Sequence, residues 1–439
     1  MDEKKVHEEF NKQPEKKLKP EKEVKVNKKN NIVRAINYLK TKYEFLYNDD
    51  TSEIDFKEIG AKDYKTITDK IYRYLRTELE MQGISLTDDT FRNMIYSGYF
   101  FESYNPIKSY LFNLPKWDGK DYLQEWCQQV NLIDEEKYRK YFVDGFKKWF
   151  VALVMSLVTD IPTSKNTNQV CLIFTGKQGK YKSTFFENLL PMQLRLRYFL
   201  TGIYNFHSEE HQKYLGTKII IHLEELAGFN RADIEAIKTR ISQSQATFRL
   251  RFGKADSEWK RRASFTAATN EDEFLNDMSG TRRFFTVPVS KIYINDDLNV
   301  DNIYSQALAL YKDGYRYWFD EDDITEIESM NEDFKSIMME EEMILSHFIK
   351  PSDDELKFQG RVSFMNSTGI ANWLSKKFER LNVNNSVTKN IGKALRKNGF
   401  KKVSKSVNGE SRKLWAIILK DEPVIQSIDS NEMVNDDII

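Results

Sequence analysis

The chain has 439 residues, and its 67 Lys and Arg balance 67 Asp and Glu, so overall charge selects no class of partner. Two cysteines without a CxxC spacing and five scattered histidines exclude a disulfide framework and argue against a structural zinc site. No apolar run approaches the ~20 residues of a membrane span, and the Lys/Glu-rich start lacks the apolar region of a secretory signal, which predicts a soluble, cytoplasmic protein with no membrane partner.

Residues 1–30 offer nothing to bury and are expected to form a charged, disordered tail. Over 31–130, "IVRAINYLKTKYEFLYND", "YKTITDKIYRYLRTEL" and "DDTFRNMIYSGYFFESYNPIKSYLFNL" alternate helical periodicity with aromatic, strand-like runs. That pattern predicts a small α+β or mostly helical domain. The amphipathic "KYRKYFVDGFKKWFVALVMSLV" then predicts a helical connection over 131–168 that packs onto the next domain. Between 169 and 318, the short apolar runs "VCLIFTG", "KIIIHLEEL" and "ASFTAATN" lie between helical segments, as in a buried, largely parallel α/β sheet. An acidic linker or helix is expected over 319–341, a basic folded unit over 342–420, and a polar tail over 421–439.

The stretch "IFTGKQGKYKSTFF" nearly matches G-x-x-x-x-G-K-[ST], with Tyr181 where the second glycine belongs. An apolar β-branched strand precedes it and a helical pattern follows, the arrangement that aims backbone N–H groups at phosphates. Gly176, Lys177, Gln178, Gly179, Lys180, Tyr181, Lys182, Ser183 and Thr184 are therefore the candidate ATP-binding loop. Lys182 would face the β/γ-phosphates and the Ser183 hydroxyl would ligate Mg²⁺. Tyr181 must hold a backbone geometry usually left to glycine, or turn outward to stack on the nucleotide. The run "KIIIHLEEL" supplies two carboxylates: Glu224 for the metal side, Glu225 to polarise the attacking water. Their plainer reading is an exposed pair at a helix start. At the end of "ASFTAATN", Asn270 is a candidate γ-phosphate sensor or simply a turn former. In "SGTRRFF", Arg282 and Arg283 are either surface charge or an arginine finger offered to a neighbouring subunit.

Read in order, "IFTGKQGKYKST", "IIIHLEELAGFNRADIEAIKTRIS" and "FRLRFGKADSEWKRRASFTAATNEDEFLNDMSGTRRFF" resemble the virulence-associated protein E family. These are P-loop ATPases of phages and mobile elements, similar to superfamily 3 helicases and the viral D5-like primase-helicases. "YNPIKSYLFNLPKWDGKDYL" also resembles the segment that precedes the ATPase core in that family, so the likeness covers roughly residues 100–290. It implies an AAA+-like P-loop NTPase core that hydrolyses ATP with Mg²⁺ between subunits of a homo-oligomeric ring, such as a hexamer. It also implies movement along single-stranded or forked DNA. Carried over by position, it gives the motif roles to Lys182, Ser183, Glu225, Asn270 and Arg283, and brings Lys238 to the nucleotide or the DNA. Tyr181 departs from the pattern, which bears on rate. No primase-like acidic constellation precedes the core, so a separate primase or other replication protein is the expected partner.

Two basic regions are candidate DNA contacts. "ATFRLRFGKADSEWKRRASF" reads as a hairpin carrying Arg249, Arg251, Lys254, Lys260, Arg261 and Arg262, and the resemblance places Lys254 near the tip in a central channel. Trp259 is available to stack on a base. From Ile370 to Lys420 there are thirteen Lys and Arg against two Glu. Helix, helix and a hairpin turning at Asn408-Gly409 outline a winged-helix-like domain, whose second helix brings Lys389, Lys393, Arg396 and Lys397 to DNA. The bland alternatives are a solvated hairpin and a charge-rich helical cap. The functional expectation is a DNA helicase or translocase for replication of a phage or mobile element. The alternatives are an ATP-binding DNA-loading switch with weak hydrolysis, favoured by Tyr181, and a defence or interference ATPase.

Overall fold

The computed structural model describes residues 31–420, apart from 203–204, 209–210, 250–254, 271–274, 276–279, 335–338, 359–360, 379–380 and 408–409. Both expected tails, the hairpin tip with Arg251 and Lys254, and the turn at Asn408-Gly409 lie outside the described residues. The chain divides into two compact units, Met1–Lys335 and Ser336–Ile439.

The first unit holds two cores. Helix α1 (Asn31–Lys42) runs into strand β1 (Tyr43–Asn48), which turns back as β2 (Glu53–Glu58). The strand β3 (Lys65–Thr66) adds to β2, and β4 (Glu102–Tyr104) pairs parallel with β1, giving the order β3-β2-β1-β4. Helices α2 (Asp69–Met81) and α3 (Asp88–Tyr96) begin at Thr68 and Thr87, whose hydroxyls each accept a first-turn N–H. Leu75 and Leu79 on α2, one turn apart, join Ala35, Leu39, Phe91 and Ile95 in this core. Of the two alternatives left open for this region, α+β is the one observed.

The second core begins at Ile107, on α4 (Pro106–Phe112), and continues through α5 (Tyr122–Cys127), β5 (Val130–Leu132) and α6 (Glu135–Val158). The expected helical connection over 131–168 is corrected here. The stretch Trp149–Val158 of α6 is buried on every side, which marks a core helix and not a connector. Strand β5 belongs to the central sheet, antiparallel to its neighbour. Gly145 lets α6 lie on that sheet, since a Cβ there would stand 2.2 Å from the Phe285 ring.

The central sheet adds β6 (Cys171–Thr175), β7 (Phe199–Leu200), β8 (Ile220–Leu223), β11 (Ser264–Thr269) and β12 (Phe284–Ile292), in the order β5-β12-β6-β11-β8-β7. All but β5 run parallel. Helices α7 (Lys182–Asn188), α8 (Met192–Tyr198), α9 (Gln212–Thr217) and α10 (Arg231–Ser242) join these strands. The hairpin β9 (Gln245–Arg249) and β10 (Asp256–Lys260) lies between β8 and β11 in sequence as a separate two-stranded sheet. Helices α11 (Val300–Lys312) and α12 (Glu321–Met330) close the unit; α12 buries Ile327 against this core, so the acidic stretch is a packed helix. Cys127 and Cys171 are both buried and unbridged.

In the second unit, α13 (Met339–His347) is followed by β13 (Phe348–Ile349), α14 (Asp353–Phe358), β14 (Ser363–Met365), α15 (Ser367–Lys377) and α16 (Asn385–Lys397). The strands β15 (Lys402–Val407) and β16 (Glu410–Leu419) pair antiparallel, and β16 also pairs with β13 and β14. Ile344, Ile370, Leu374, Ile391, Leu395 and Ile417 form its core.

Candidate functional site

The parallel strands β6, β11 and β8 lie side by side, with Thr175 opposite Thr269 and Leu223 opposite Ala267. Their carboxyl ends therefore open on one crevice, the place where open α/β sheets bind ligands. Gly176 leaves β6 with φ +133°, and a Cβ there would stand 2.3 Å from the Val289 carbonyl oxygen, so only glycine fits. Gly179 follows with φ +77°. Tyr181 holds φ 62° and ψ 24° immediately before α7, a left-handed conformation that costs a non-glycine residue about 1–2 kcal/mol. The residue is 61% exposed. Lys177, Gln178 and Gly179 are exposed, whereas Lys180, Ser183 and Thr184 are half-buried.

Lys182 is 6% exposed, and its ammonium turns inward. It donates to the carbonyls of Gly176 and Lys177, the latter at 3.0 Å, and to Asn270 Oδ1 at 3.0 Å. Asn270 stands just past β11, between the loop and the end of β8, and its Nδ2 donates to Glu225 Oε1 at 2.7 Å. One amide thus joins the loop lysine to a carboxylate. Glu225 has φ 53° and ψ 50°, and this second left-handed residue splits the carboxylate pair. Glu224 turns the other way and accepts from Thr201 Oγ1 at 2.9 Å, beyond the end of β7. Both carboxylates are exposed.

Beneath the loop lies a residue that sequence reasoning missed. His222, on β8, places Nε2 3.1 Å from Ser183 Oγ and Nδ1 2.9 Å from Thr266 Oγ1. Its ring packs between Phe186 and Phe199, and burial pushes its pKa down to about 3, so the imidazole is neutral. The signal was present in "KIIIHLEEL": a polar ring interrupting an apolar strand needs partners.

Arg283 stands apart from this crevice. Its Nε donates to Ser242 Oγ at 2.6 Å, and with Glu235, Lys238, Thr239, Gln243 and Gly280 it lines a cleft of about 580 Å³ beside α10. Lys238 is 5% exposed and pairs with Glu235 at 3.1 Å. Arg282 is exposed.

The basic hairpin divides into two sets of residues. Arg249 is exposed, with Asp256 3.4 Å away. Lys260, Arg261 and Arg262 point inward, which corrects the reading of the hairpin's base as a DNA surface. Lys260 donates to the carbonyls of Ser156 and Thr159, Arg261 to those of Arg240 and Asn168, and Arg262 pairs with the buried Asp50. Trp259 is half-buried and packs against Phe248, 5.4 Å between ring centroids, so the ring is part of the hairpin's own packing. In the second unit, Lys389, Lys393 and Arg396 share a cleft of about 340 Å³ with Ser367, Thr388 and Lys402. Lys397 lies elsewhere on α16. Its ammonium pairs at 3.0 Å with Glu341, whose side chain is 5% exposed, so it is a packing cation and is removed from the DNA set.

Residues 111–336, just over half of the chain, match the family profile of the virulence-associated protein E-like domain. The chain belongs to that family. The VapE-like region so defined contains the whole central sheet with its loop, carboxylates, Asn270 and both arginines. Solved apo structures of the NrS-1 C-terminal region are similar at 13% identity, covering 89% of this chain and 100% of that chain, with a TM-score of 0.42. Its A form gives 13%, 89%, 100% and 0.41. No curated protein matches the sequence. No helix among the described residues is long and apolar enough to cross a membrane.

Proposed function

We propose that this VapE-like chain is an ATP-hydrolysing, Mg²⁺-dependent DNA helicase or translocase serving replication of a phage or mobile element. One observation carries the reading: Lys182, Asn270 and Glu225 meet in one hydrogen-bonded chain at the carboxyl ends of three adjacent parallel strands. A buried ammonium aimed at a glycine-shaped loop suits the β/γ-phosphates of ATP, and the strand order β12-β6-β11-β8-β7 is compatible with an AAA+-like P-loop core. Ser183 would hold Mg²⁺, which neutralises phosphate charge when bound, and Glu224 would join it by turning in from Thr201. Among the described residues no three His, Cys, Asp or Glu side chains gather as a metal cage. That fits a cation taking most of its ligands from phosphate and water.

In this reading Lys182 leaves the loop carbonyls for phosphate oxygens, and Asn270 holds Glu225 where it orients the attacking water. Arg283 and Arg282, outside the crevice, serve a neighbouring subunit of a homo-oligomeric ring, and Lys238 beside Arg283 accompanies them. DNA is met by Arg249, with Arg251 and Lys254 beyond the described part of the hairpin, and by Lys389, Lys393 and Arg396 of a winged-helix-like second unit. One observation favours a second reading, a DNA-loading switch with weak hydrolysis: Asn270 occupies Lys182 and Glu225 together, and Tyr181 is strained.

Binding of a fluorescent ATP analogue to Lys182→Ala tests the assignment. Loss of binding with an unchanged melting curve is expected, and undiminished affinity would sink it.

A further inference from the structure

The nucleotide reading leaves His222 without a task, although its ring touches the loop. Its neighbours on β8, Ile220, Ile221 and Leu223, are apolar and buried, and its ring lies between two phenylalanines. A polar ring survives in such a place only where both nitrogens are paired. Here both partners are hydroxyls on different elements, Ser183 at the start of α7 and Thr266 in β11, and each can donate or accept. Of the two neutral tautomers, the one protonated at Nδ1 donates to Thr266 Oγ1 and leaves Nε2 to accept the Ser183 O–H. The other spends a Ser183 lone pair on Nε2–H and turns the hydroxyl proton out towards the loop, against any cation there.

We propose that His222, held by Thr266, is a positioning residue for Ser183: it takes the hydroxyl proton in a hydrogen bond, so that both lone pairs of Ser183 Oγ remain available to the Mg²⁺ of a bound nucleotide. The proposal rests on the nucleotide reading above. It assigns Mg²⁺ coupling to three stacked side chains, Ser183, His222 and Thr266, of which only Ser183 lies within the loop motif.

The test is equilibrium binding of a fluorescent, non-hydrolysable ATP analogue to the full chain, in Mg²⁺ and in EDTA, with thermal melting alongside. His222→Phe keeps an aromatic ring, one ring atom larger, and removes both hydrogen bonds. Affinity in EDTA should stay within ~2-fold of wild type while the Mg²⁺-dependent gain falls ~10-fold, the lower end for outer-shell partners of metal ligands. Ser183→Ala should lose the same gain, and the double variant no more than Ser183→Ala alone, because both act through one oxygen. Thr266→Val, nearly isosteric and outside the loop, should lose part of the gain, and it carries the test if His222→Phe melts early. A full Mg²⁺ gain in His222→Phe and Thr266→Val, with Ser183→Ala impaired, overturns the proposal and leaves the nucleotide reading intact. Equal losses in EDTA and Mg²⁺ overturn it as well, because they mark a packing role. A wild-type chain that does not bind the analogue removes the nucleotide reading and this proposal with it.

Discussion

Substituting Asn270 by alanine removes two contacts at once: the acceptor of Lys182 at 3.0 Å and the donor to Glu225 at 2.7 Å. The two losses should not weigh equally. Lys182 keeps the carbonyls of Gly176 and Lys177 and stays buried in the loop, so nucleotide affinity should change by less than ~3-fold. Glu225, exposed and on a left-handed backbone, has no other side-chain partner among the hydrogen bonds described, so its orientation depends on this amide. A hydrogen bond to an ionised group contributes about 1.5–3 kcal/mol, which corresponds to a fall in kcat of roughly 10- to 150-fold if that orientation is needed only in the transition state. Steady-state phosphate release at saturating ATP, with analogue binding measured in parallel, separates the two effects. Turnover within ~2-fold of wild type, or affinity falling as far as kcat, would refute the assigned role of Asn270.

Arg283→Ala should bind ATP normally yet hydrolyse it ~10³-fold more slowly, and mixing it with Lys182→Ala should restore part of the activity by pairing an intact loop with an intact arginine. No recovery in mixtures shown to co-assemble counts against a shared site. Lys393→Ala should lower the salt slope of DNA binding by ~1, whereas Lys397→Ala should leave it unchanged. The latter should instead cost about 2 kcal/mol of stability by stranding Glu341, less than for a fully buried pair because Asn398 also donates to that carboxylate. The reverse pattern would return Lys397 to the DNA surface. Burial, and then neighbouring Arg262, pull the Lys260 pKa down to about 7. Between there and the ordinary lysine value the unfolded chain holds the extra proton, so stability rises with pH across that window. In Lys260→Met the rise in melting temperature from about pH 7 to 9 should shrink, and an identical rise in both proteins would refute the assignment.

Much of the central sheet was legible because its strands are short apolar runs ending in polar residues, and period and punctuation mark such strands. The loop was legible despite Tyr181, since its context of strand, glycines, Lys-Ser and helix survives one odd residue. Helix α6 was misread because amphipathic periodicity holds only over its first half; from Trp149 onward the sheet and α11 surround it, which no local window reveals. The inward turn of Lys260, Arg261 and Arg262 was hidden for a related reason. Their partners, the carbonyls of Ser156, Thr159, Asn168 and Arg240 and the carboxylate of Asp50, are distant in sequence. A basic run looks the same whether it meets phosphate or the protein's own backbone. Lys397 stands one helical turn beyond Lys393 on nearly the same face of α16, and the deciding carboxylate, Glu341, comes from another helix.

The central claim is ATP hydrolysis at the crevice of Lys182, Asn270 and Glu225, coupled to DNA. The most direct measurement is steady-state ATPase activity of the full chain in Mg²⁺, with and without single-stranded DNA, beside Glu225→Gln. The prediction is hydrolysis that single-stranded DNA stimulates and that Glu225→Gln abolishes while still binding ATP. Hydrolysis that persists unchanged in Glu225→Gln, or none above its background with DNA present, would contradict it.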